Sequence, residues 1–539
     1  MKKYSGKLEL TWVNKDEELN IEPRILIEDK SKSYGLPTTG NMLIHGDNLI
    51  ALKALERDFA GKIKCVYIDP PFNTGAAFEH YDDNVEHSIW LNLMSKRLTM
   101  IRNLLTEDGA IFVNLDDSES AYCKVIMDQV FGRKNYLNEI IVATNKSFGF
   151  KSTSDGIFKQ ANHLLFYAKN KESLVLNTKY LFVEKGYDPQ YKFQFLNTDR
   201  PESEWTWKNI NEIVAHNMGY SSVNEAKKDS QFEQEVANYA LENADTVFRT
   251  ASVSGGALIK RRETIQKSKA NKTIIVRHPN DDMDYMFIGG ERVIFYKERL
   301  KMIDGVMVPG ELITDIWDDI SVEGLASEGG IDFPKGKKPE KLIKRCIELC
   351  TSEQDYVLDS FLGSGTTAAV AHKMNRRWIG IELGEQAYTH CKKRLDSVID
   401  GTDKSGITKT INWKGGGGYK FYELAEPLLV KNPIIPVYEV NPTYTFEMVC
   451  EAVCKIEAFT YAPADFYHGY STENRFIHVT FEYVNGEYVA ELSAKLNEKQ
   501  SLIIYCLKHQ KGIPLPDNIE IRRIPKDIQE KCKFESEEE

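Results

Sequence analysis

The chain has 539 residues, which allows three or four domains, and 42% of them are apolar, enough for real cores. Its formal charge is −11, and its nine scattered cysteines include no C-x-x-C pair, so a disulfide scaffold is excluded and a reduced compartment is expected. No apolar run reaches the length of a membrane span, and the opening lysines are not followed by a signal-type apolar core, so no membrane partner is expected and the cytoplasm is the expected location.

Residues 1–40 are too short for a domain and read as an extension, with Leu8, Leu10, Trp12, Ile25 and Leu26 packing on a neighbouring sheet. Residues 41–170 start with His45-Gly46-Asp47-Asn48-Leu49, where Asp47 on its own residues is also readable as an Asx turn after a strand. Val66-Tyr67-Ile68 then has the β-branched and aromatic character of a buried strand, and Asp69-Pro70-Pro71-Phe72 ends it because two prolines lack N–H donors. The Asp69 carboxylate is thereby delivered to the carboxyl end of a strand, where open α/β sheets bind ligands. With the carbonyl of Pro70 it makes an acceptor pair beside the ring of Phe72, suited to a planar heterocycle with an exocyclic amino group. The bare tripeptide is equally readable as a strand-ending turn. Gly109 to Asp117 forms a further strand.

Residues 171–310 lose the βα alternation. Tyr187, Tyr191, Phe193, Phe195, Trp205, Trp207 and Tyr220 are interleaved with Lys192, Arg200 and Lys208, a mixture suited to stacking and base-edge contacts, with most rings expected in a small core. The segments Tyr285 to Ile288 and Val293 to Tyr296 around Gly289-Gly290 predict a hairpin. Net negative charge does not exclude nucleic acid, because phosphate affinity depends on local clusters. Two such clusters occur, Lys260 to Arg277 and Lys335 to Arg345, the first also readable as a solvated helix face.

Residues 311–425 carry a second ligand signature. Tyr356 to Asp359 is a short strand, Ser360-Phe361-Leu362-Gly363-Ser364-Gly365 a tight turn, and Thr366-Thr367 opens a helix. Glycines there let backbone approach a ligand, and the next strand ends on Glu382, at about the twenty-residue spacing of an acid that binds ribose hydroxyls. No phosphate-binding signature accompanies it, so the implied ligand is a nucleoside carrying an amino acid in place of a pyrophosphate. Beyond Gly415 to Gly418, residues 436–539 predict a small α+β domain: a helix over Phe446 to Phe459, a hairpin with Phe476 to Tyr483 and Tyr488 to Leu492 flanking Asn485-Gly486, and a strand over Leu502 to Leu507.

Asp69-Pro70-Pro71-Phe72 together with Phe361-Leu362-Gly363-Ser364-Gly365-Thr366-Thr367 resembles the amino-group DNA methyltransferases that use S-adenosyl-L-methionine, in the order of their permuted β group. The likeness extends to His45 to Leu49, Gly109 to Asp117, Thr314 to Trp317, and Phe333 to Pro339 as the cofactor-closing motif. It covers most of residues 1–425, and within the family the chain resembles the modification (Mod) subunits of type III restriction-modification systems, which methylate adenine N6. The resemblance implies an α/β, Rossmann-like sheet, circularly permuted, with an inserted target-recognition domain. It implies catalysis at Asp69, Pro70, Pro71 and Phe72, and cofactor binding at Asp47, Lys338, Pro339, Asp359, Phe361, Gly363, Ser364, Gly365, Thr366, Thr367 and Glu382; no metal is expected, because Cys346 with Cys350 and Cys450 with Cys454 read as packed thiols without other close ligands. The implied partners are double-stranded DNA, a second copy of the chain and a restriction (helicase/nuclease) subunit. The sequence itself shows no dimer.

Adenine-specific members of that family more often have tyrosine at the position of Phe72, and cytosine-N4 members more often have serine at that of Asp69, so Asp69 favours adenine. Cytosine-C5 chemistry needs a Pro-Cys nucleophile that is absent here, whereas direct transfer to an amino nitrogen needs no covalent intermediate. The alternatives are a cytosine-N4 enzyme, or a DNA-recognition subunit whose transfer activity is secondary or lost. The intact motifs speak against loss. Restriction by this chain alone would need a P-loop, and none occurs.

Overall fold

The computed structural model describes residues 10–17, 21–71, 87–143, 160–279, 285–322, 324–333, 336–532 and 534. Phe72, Leu8 and Lys335 lie outside them. The chain forms two compact units, Thr178–Ile313 and the remainder, Met1–Asn177 with Thr314–Glu539.

The larger unit is built on one sheet. Its strands are β1 (Leu26–Glu28), β2 (Met42–His45), β3 (Ile63–Ile68), β4 (Leu105–Leu115), β5 (Tyr136–Ala143), β6 (Ala161–Ala168), β7 (Ile316–Trp317), β8 (Tyr356–Asp359), β9 (Arg377–Glu382) and β10 (Gly418–Leu424). They lie in the order β1-β10-β2-β9-β8-β3-β4-β6-β5-β7, with the short strand Tyr34–Gly35 beside β10. From β10 to β4 every pairing is parallel, while β4–β6, β6–β5 and β1–β10 are antiparallel. This is the expected Rossmann-like sheet, and its sequence-distant halves interleave: β8 and β9 enter between β2 and β3.

Parallel strands are covered on both faces and so read as continuous apolar runs. Val66, Ile68, Ile111, Val113, Leu358 and Ile379 are buried with Trp90, Met94 and Leu98 of the helix His87–Leu104 in one core. Leu10, Trp12 and Leu26 pack against that core as expected. Ile25 does not. It sits in a second core with Leu428, Val449, Val453 and Tyr505, because the strand pairing of β1 with β10 points alternate side chains to opposite faces.

That second core belongs to the C-terminal region, whose sheet runs Thr460–Tyr461, Gly469–Thr472, Arg475–Thr480, Ser501–Cys506, Ile519–Arg523. The helix Phe446–Ile456 and the strand at 501–506 match their expected places. The hairpin at Asn485-Gly486 is corrected. Arg475–Thr480 pairs in parallel with Ser501–Cys506, and parallel strands need a crossover, which is the helix Gly486–Ser493. Asn485 caps that helix by accepting from Tyr488 N at 2.9 Å.

The smaller unit contains a six-stranded antiparallel sheet, Thr206–Asn209, Phe193–Leu196, Val247–Ala251, Glu291–Phe295, Met286–Ile288, Val276–Arg277, whose last turn but one is the expected hairpin at Gly289-Gly290. The central rings are core: Phe195 stacks on Phe248 at 4.1 Å between Trp205 and Trp207, while Tyr187, Tyr191 and Tyr220 pack with Ile210, Val214 and Tyr296.

Candidate active site

The carboxyl ends of the parallel strands bring the expected residues to one edge. β2 ends at His45, β9 at Glu382, β8 at Asp359, and β3 runs into Asp69. Adjacent strands therefore place Asp69 beside the glycine turn, although the two motifs are far apart in sequence.

Asp69 is held at both oxygens. Asn114 Nδ2, from the buried end of β4, donates to Oδ1 at 2.9 Å, and Lys338 Nζ donates to Oδ2 at 2.5 Å. Pro70 is buried, and the carbonyl of Pro71 accepts from Trp90 Nε1 at 2.9 Å, which ties the strand-ending turn to the helix His87–Leu104. Asn114 lies within the motif-like run Gly109 to Asp117 but carries no assigned role from it, and Trp90 stands in an apolar stretch with no motif.

The glycine turn follows the expected geometry. Gly363 and Gly365 have φ of +54° and +77°, the left-handed region that glycine enters at no steric cost. A Cβ on Gly365 would stand 3.2 Å from Cys391 Cα, tighter than ordinary contact, so the backbone at Cys391 would have to give way slightly. Asp359 Oδ1 accepts from Phe361 N at 2.9 Å, and Glu382 receives Gly363 N at 2.7 Å and Gly384 N at 3.0 Å. Glu382 thus shapes the turn that it was expected to serve as a ribose acid. Burial pushes the Asp359 carboxyl up to about 7, against the lowering effect of the Thr367 hydroxyl and the Phe361 N–H, with Asp69 and Glu382 adding to the rise.

Asp47 lies just beyond the carboxyl end of β2. Its Oδ1 caps the helix Asn48–Phe59, accepting from Leu49 N and Ile50 N at 2.8 and 3.0 Å, and its Oδ2 meets the buried Arg97 at 3.1 Å.

Beneath the turn lies a charged cluster that the sequence did not reveal. Ser364 Oγ and Thr366 Oγ1 are 3.0 Å apart, and Arg394 donates to Thr366 Oγ1 at 2.7 Å and to Glu340 Oε1 at 2.8 Å. Glu340 also receives Lys373 Nζ at 2.9 and 2.8 Å, and Lys373 meets Asp403 at 2.6 Å. Glu340 opens the helix Glu340–Cys350 immediately after Pro339, so the closing motif and the helix Thr366–Lys373 share one buried counter-charge system.

The residues present fit a ligand at this edge. Ser360 Oγ and Asn114 Oδ1 are buried and lack a hydrogen-bond partner among the described residues, an arrangement that native structures rarely leave unanswered. Among the described residues no His, Cys, Asp and Glu cluster has the grouping to hold a metal ion, and all nine cysteines are buried free thiols.

From Lys337 to Arg345 every described basic residue has a partner within the chain. Lys337 donates to three carbonyls, Lys341 and Arg345 pair with Asp319, and Lys344 pairs with Glu348.

The N6/N4 DNA methylase family matches residues 63–393, which is more than half of the chain and spans both motifs. The chain belongs to this family. The chain is 36% identical to a probable type III restriction-modification enzyme HindVI Mod subunit of Haemophilus influenzae, over 79% of this chain and 59% of that one. It is 24% identical to the type III restriction-modification enzyme EcoP15I Mod subunit of Escherichia coli, over 78% of this chain and 72% of that one. The chain thus spans less than two thirds of the Haemophilus relative. Among solved structures, the PvuII DNA methyltransferase (cytosine-N4-specific) aligns with 13% identity and a TM-score of 0.33, covering 70% of this chain and 93% of that one. Among the described residues no helix is long and apolar enough to cross a membrane.

Proposed function

We propose that this DNA methylase transfers a methyl group from S-adenosyl-L-methionine to the exocyclic N6 of an adenine in double-stranded DNA, as the modification subunit of a type III-like system. The observation that carries this reading is the adjacency of β3 and β8, which sets the acceptor carboxylate of Asp69 beside the glycine turn. S-adenosyl-L-methionine, when bound, supplies an electrophilic methyl group.

The residues to hold it are those around the turn: Phe361, Gly363, Ser364, Gly365, Thr366 and Thr367, with Asp47, Asp359, Glu382 and Pro339 at the same edge. Asp69 accepts a hydrogen of the base amino group, whose lone pair is otherwise delocalised into the ring, and favours a more tetrahedral nitrogen. The gain is mainly one of orientation. Because Asp69 stands at the carboxyl end of a central strand with its side chain only 18% exposed, a base within a duplex does not reach it, and the target is extruded from the helix. Phe72, next in sequence after the two prolines, is assigned the stacking surface.

The smaller unit is assigned the reading of DNA. Supporting this, Lys260, Arg262, Lys267, Lys269 and Lys272 are exposed on or just beyond the helices Gly255–Lys260 and Arg262–Ala270. A restriction subunit and a second copy of the chain are the partners this reading brings with it, and the cytoplasm is its location.

The test is modification-sensitive sequencing of genomic DNA from a host expressing the full chain, with Asp69→Ala as the paired variant. Methyladenine at one short sequence, lost in Asp69→Ala while cofactor binding persists, is the expected result. N4-methylcytosine would overturn the adenine assignment, and retained adenine methylation in Asp69→Ala would overturn the site.

A further inference from the structure

The family motif puts Lys338 in the cofactor site, yet its ammonium is on the catalytic carboxylate. Lys338 Nζ lies 2.5 Å from Asp69 Oδ2, across 269 positions of sequence, in a pair whose side chains are 11% and 18% exposed. It also donates to the Gly336 carbonyl at 3.3 Å, which anchors the ammonium to its own loop. Asn114 takes the other oxygen from the buried side.

A carboxylate has about four lone-pair sites, two on each oxygen. Asn114 and Lys338 use one on each, from two separate elements, so the carboxylate plane cannot turn without breaking a charge-assisted bond. Each oxygen still keeps a lone pair. Oδ2 faces the less buried of the two donors, so its remaining lone pair is the one an arriving base can reach.

We propose that Lys338 is a positioning residue of the base-acceptor site and not a cofactor ligand: with Asn114 it clamps Asp69 so that the remaining lone pair of Oδ2 already points at the incoming amino group. This rests on the transferase reading above and assigns the closing motif a second task. By bonding Asp69, the loop that ends at Pro339 makes acceptor geometry depend on its own placement, and the buried Glu340 next in sequence ties that placement to the glycine turn. Such fixed donors cost no reorganisation when substrate binds.

The test uses the full chain with Lys338→Met, Lys338→Gln and Lys338→Arg. S-adenosyl-L-methionine affinity is measured by calorimetry, and kcat on DNA bearing the sequence found by modification sequencing. Lys338→Met should leave cofactor Kd within about 3-fold and lower kcat at saturating cofactor by about 10- to 100-fold, the scale of one hydrogen bond to a charged group. Lys338→Gln, a neutral donor, should fall between, and Lys338→Arg should retain most of the rate. A cofactor Kd weakened 10-fold or more with kcat preserved would overturn the proposal and return Lys338 to the cofactor site. An unchanged kcat with unchanged Kd would overturn it too. Wild-type protein that binds cofactor but modifies no DNA would instead sink the transferase reading.

Discussion

Glu340 and Arg394 meet at 2.8 Å with neither side chain reaching solvent, which makes the end of the closing motif and the floor of the glycine turn a single electrostatic unit. Removing one partner of a buried ion pair leaves an uncompensated charge and is strongly destabilising, by about 3–5 kcal/mol. Glu340→Gln should therefore lower stability on that scale in urea unfolding and weaken S-adenosyl-L-methionine binding, because Arg394 would lose the partner that aims it at Thr366. Unaltered cofactor affinity in a folded Glu340→Gln protein would show that the cluster does not support the turn.

Asn114 should matter to the reaction more than to the fold. Asn114→Ala removes one donor to Asp69 and is expected to reduce kcat by about tenfold or more, with a stability loss of about 1–3 kcal/mol. Asn114→Asp places a second carboxylate against Asp69 and should be worse than alanine in kcat. If the aspartate variant were the more active of the two, the orienting role would be wrong.

The raised carboxyl of Asp359 gives a pH signature. Its folded value of about 7 lies above the ordinary 3.8, so the folded state holds the proton more tightly. The associated stability is fully present below about pH 4 and is lost as pH rises through 7. Asp359→Asn cannot titrate, and its Oδ1 can still accept from Phe361 N. The melting-temperature gap, variant minus wild type, should thus widen between pH 5 and pH 8, read by scanning fluorimetry without cofactor. Parallel profiles would refute the buried-acid account.

The two basic runs should behave differently on DNA. Lys267, Lys269 and Lys272 are exposed, and the stem of Lys269 lies against Gly290, which leaves no room for a Cβ there. Neutralising all three to glutamine should reduce the slope of log K against log salt by about 0.9 for each phosphate that is no longer neutralised. Lys344→Gln should leave the slope unchanged, because Lys344 is paired with Glu348 at 3.0 Å. Equal effects from the two variants would place the DNA surface elsewhere.

Much of the site was legible because its signals are local. A carboxylate followed by two prolines must end a strand, Gly363 and Gly365 permit a left-handed turn, and Glu382 closes the next strand at the right spacing. Local signals also misled. Asn485-Gly486 suits a hairpin or a helix cap equally, and only the parallel partner at Ser501–Cys506 selected the cap. The basic run at Lys335 to Arg345 shows its charge in the sequence but not its counter-charge, which from Lys337 onward includes Asp319, Glu348 and Asp69.

By itself the sequence determined which backbone turns end on ligand-binding groups, since strand termination, glycine dihedrals and motif spacing depend on near neighbours. The permuted motif order already implied that the two halves share one sheet, but only the tertiary structure decided the order β2-β9-β8-β3 and, with it, which side chains meet. Asp69 acquired Asn114 and Lys338, and the glycine turn acquired Arg394 and Glu340, because burial leaves polar groups no water to bond. Their partners had to come from whichever strand or helix the packing of the sheet brought alongside.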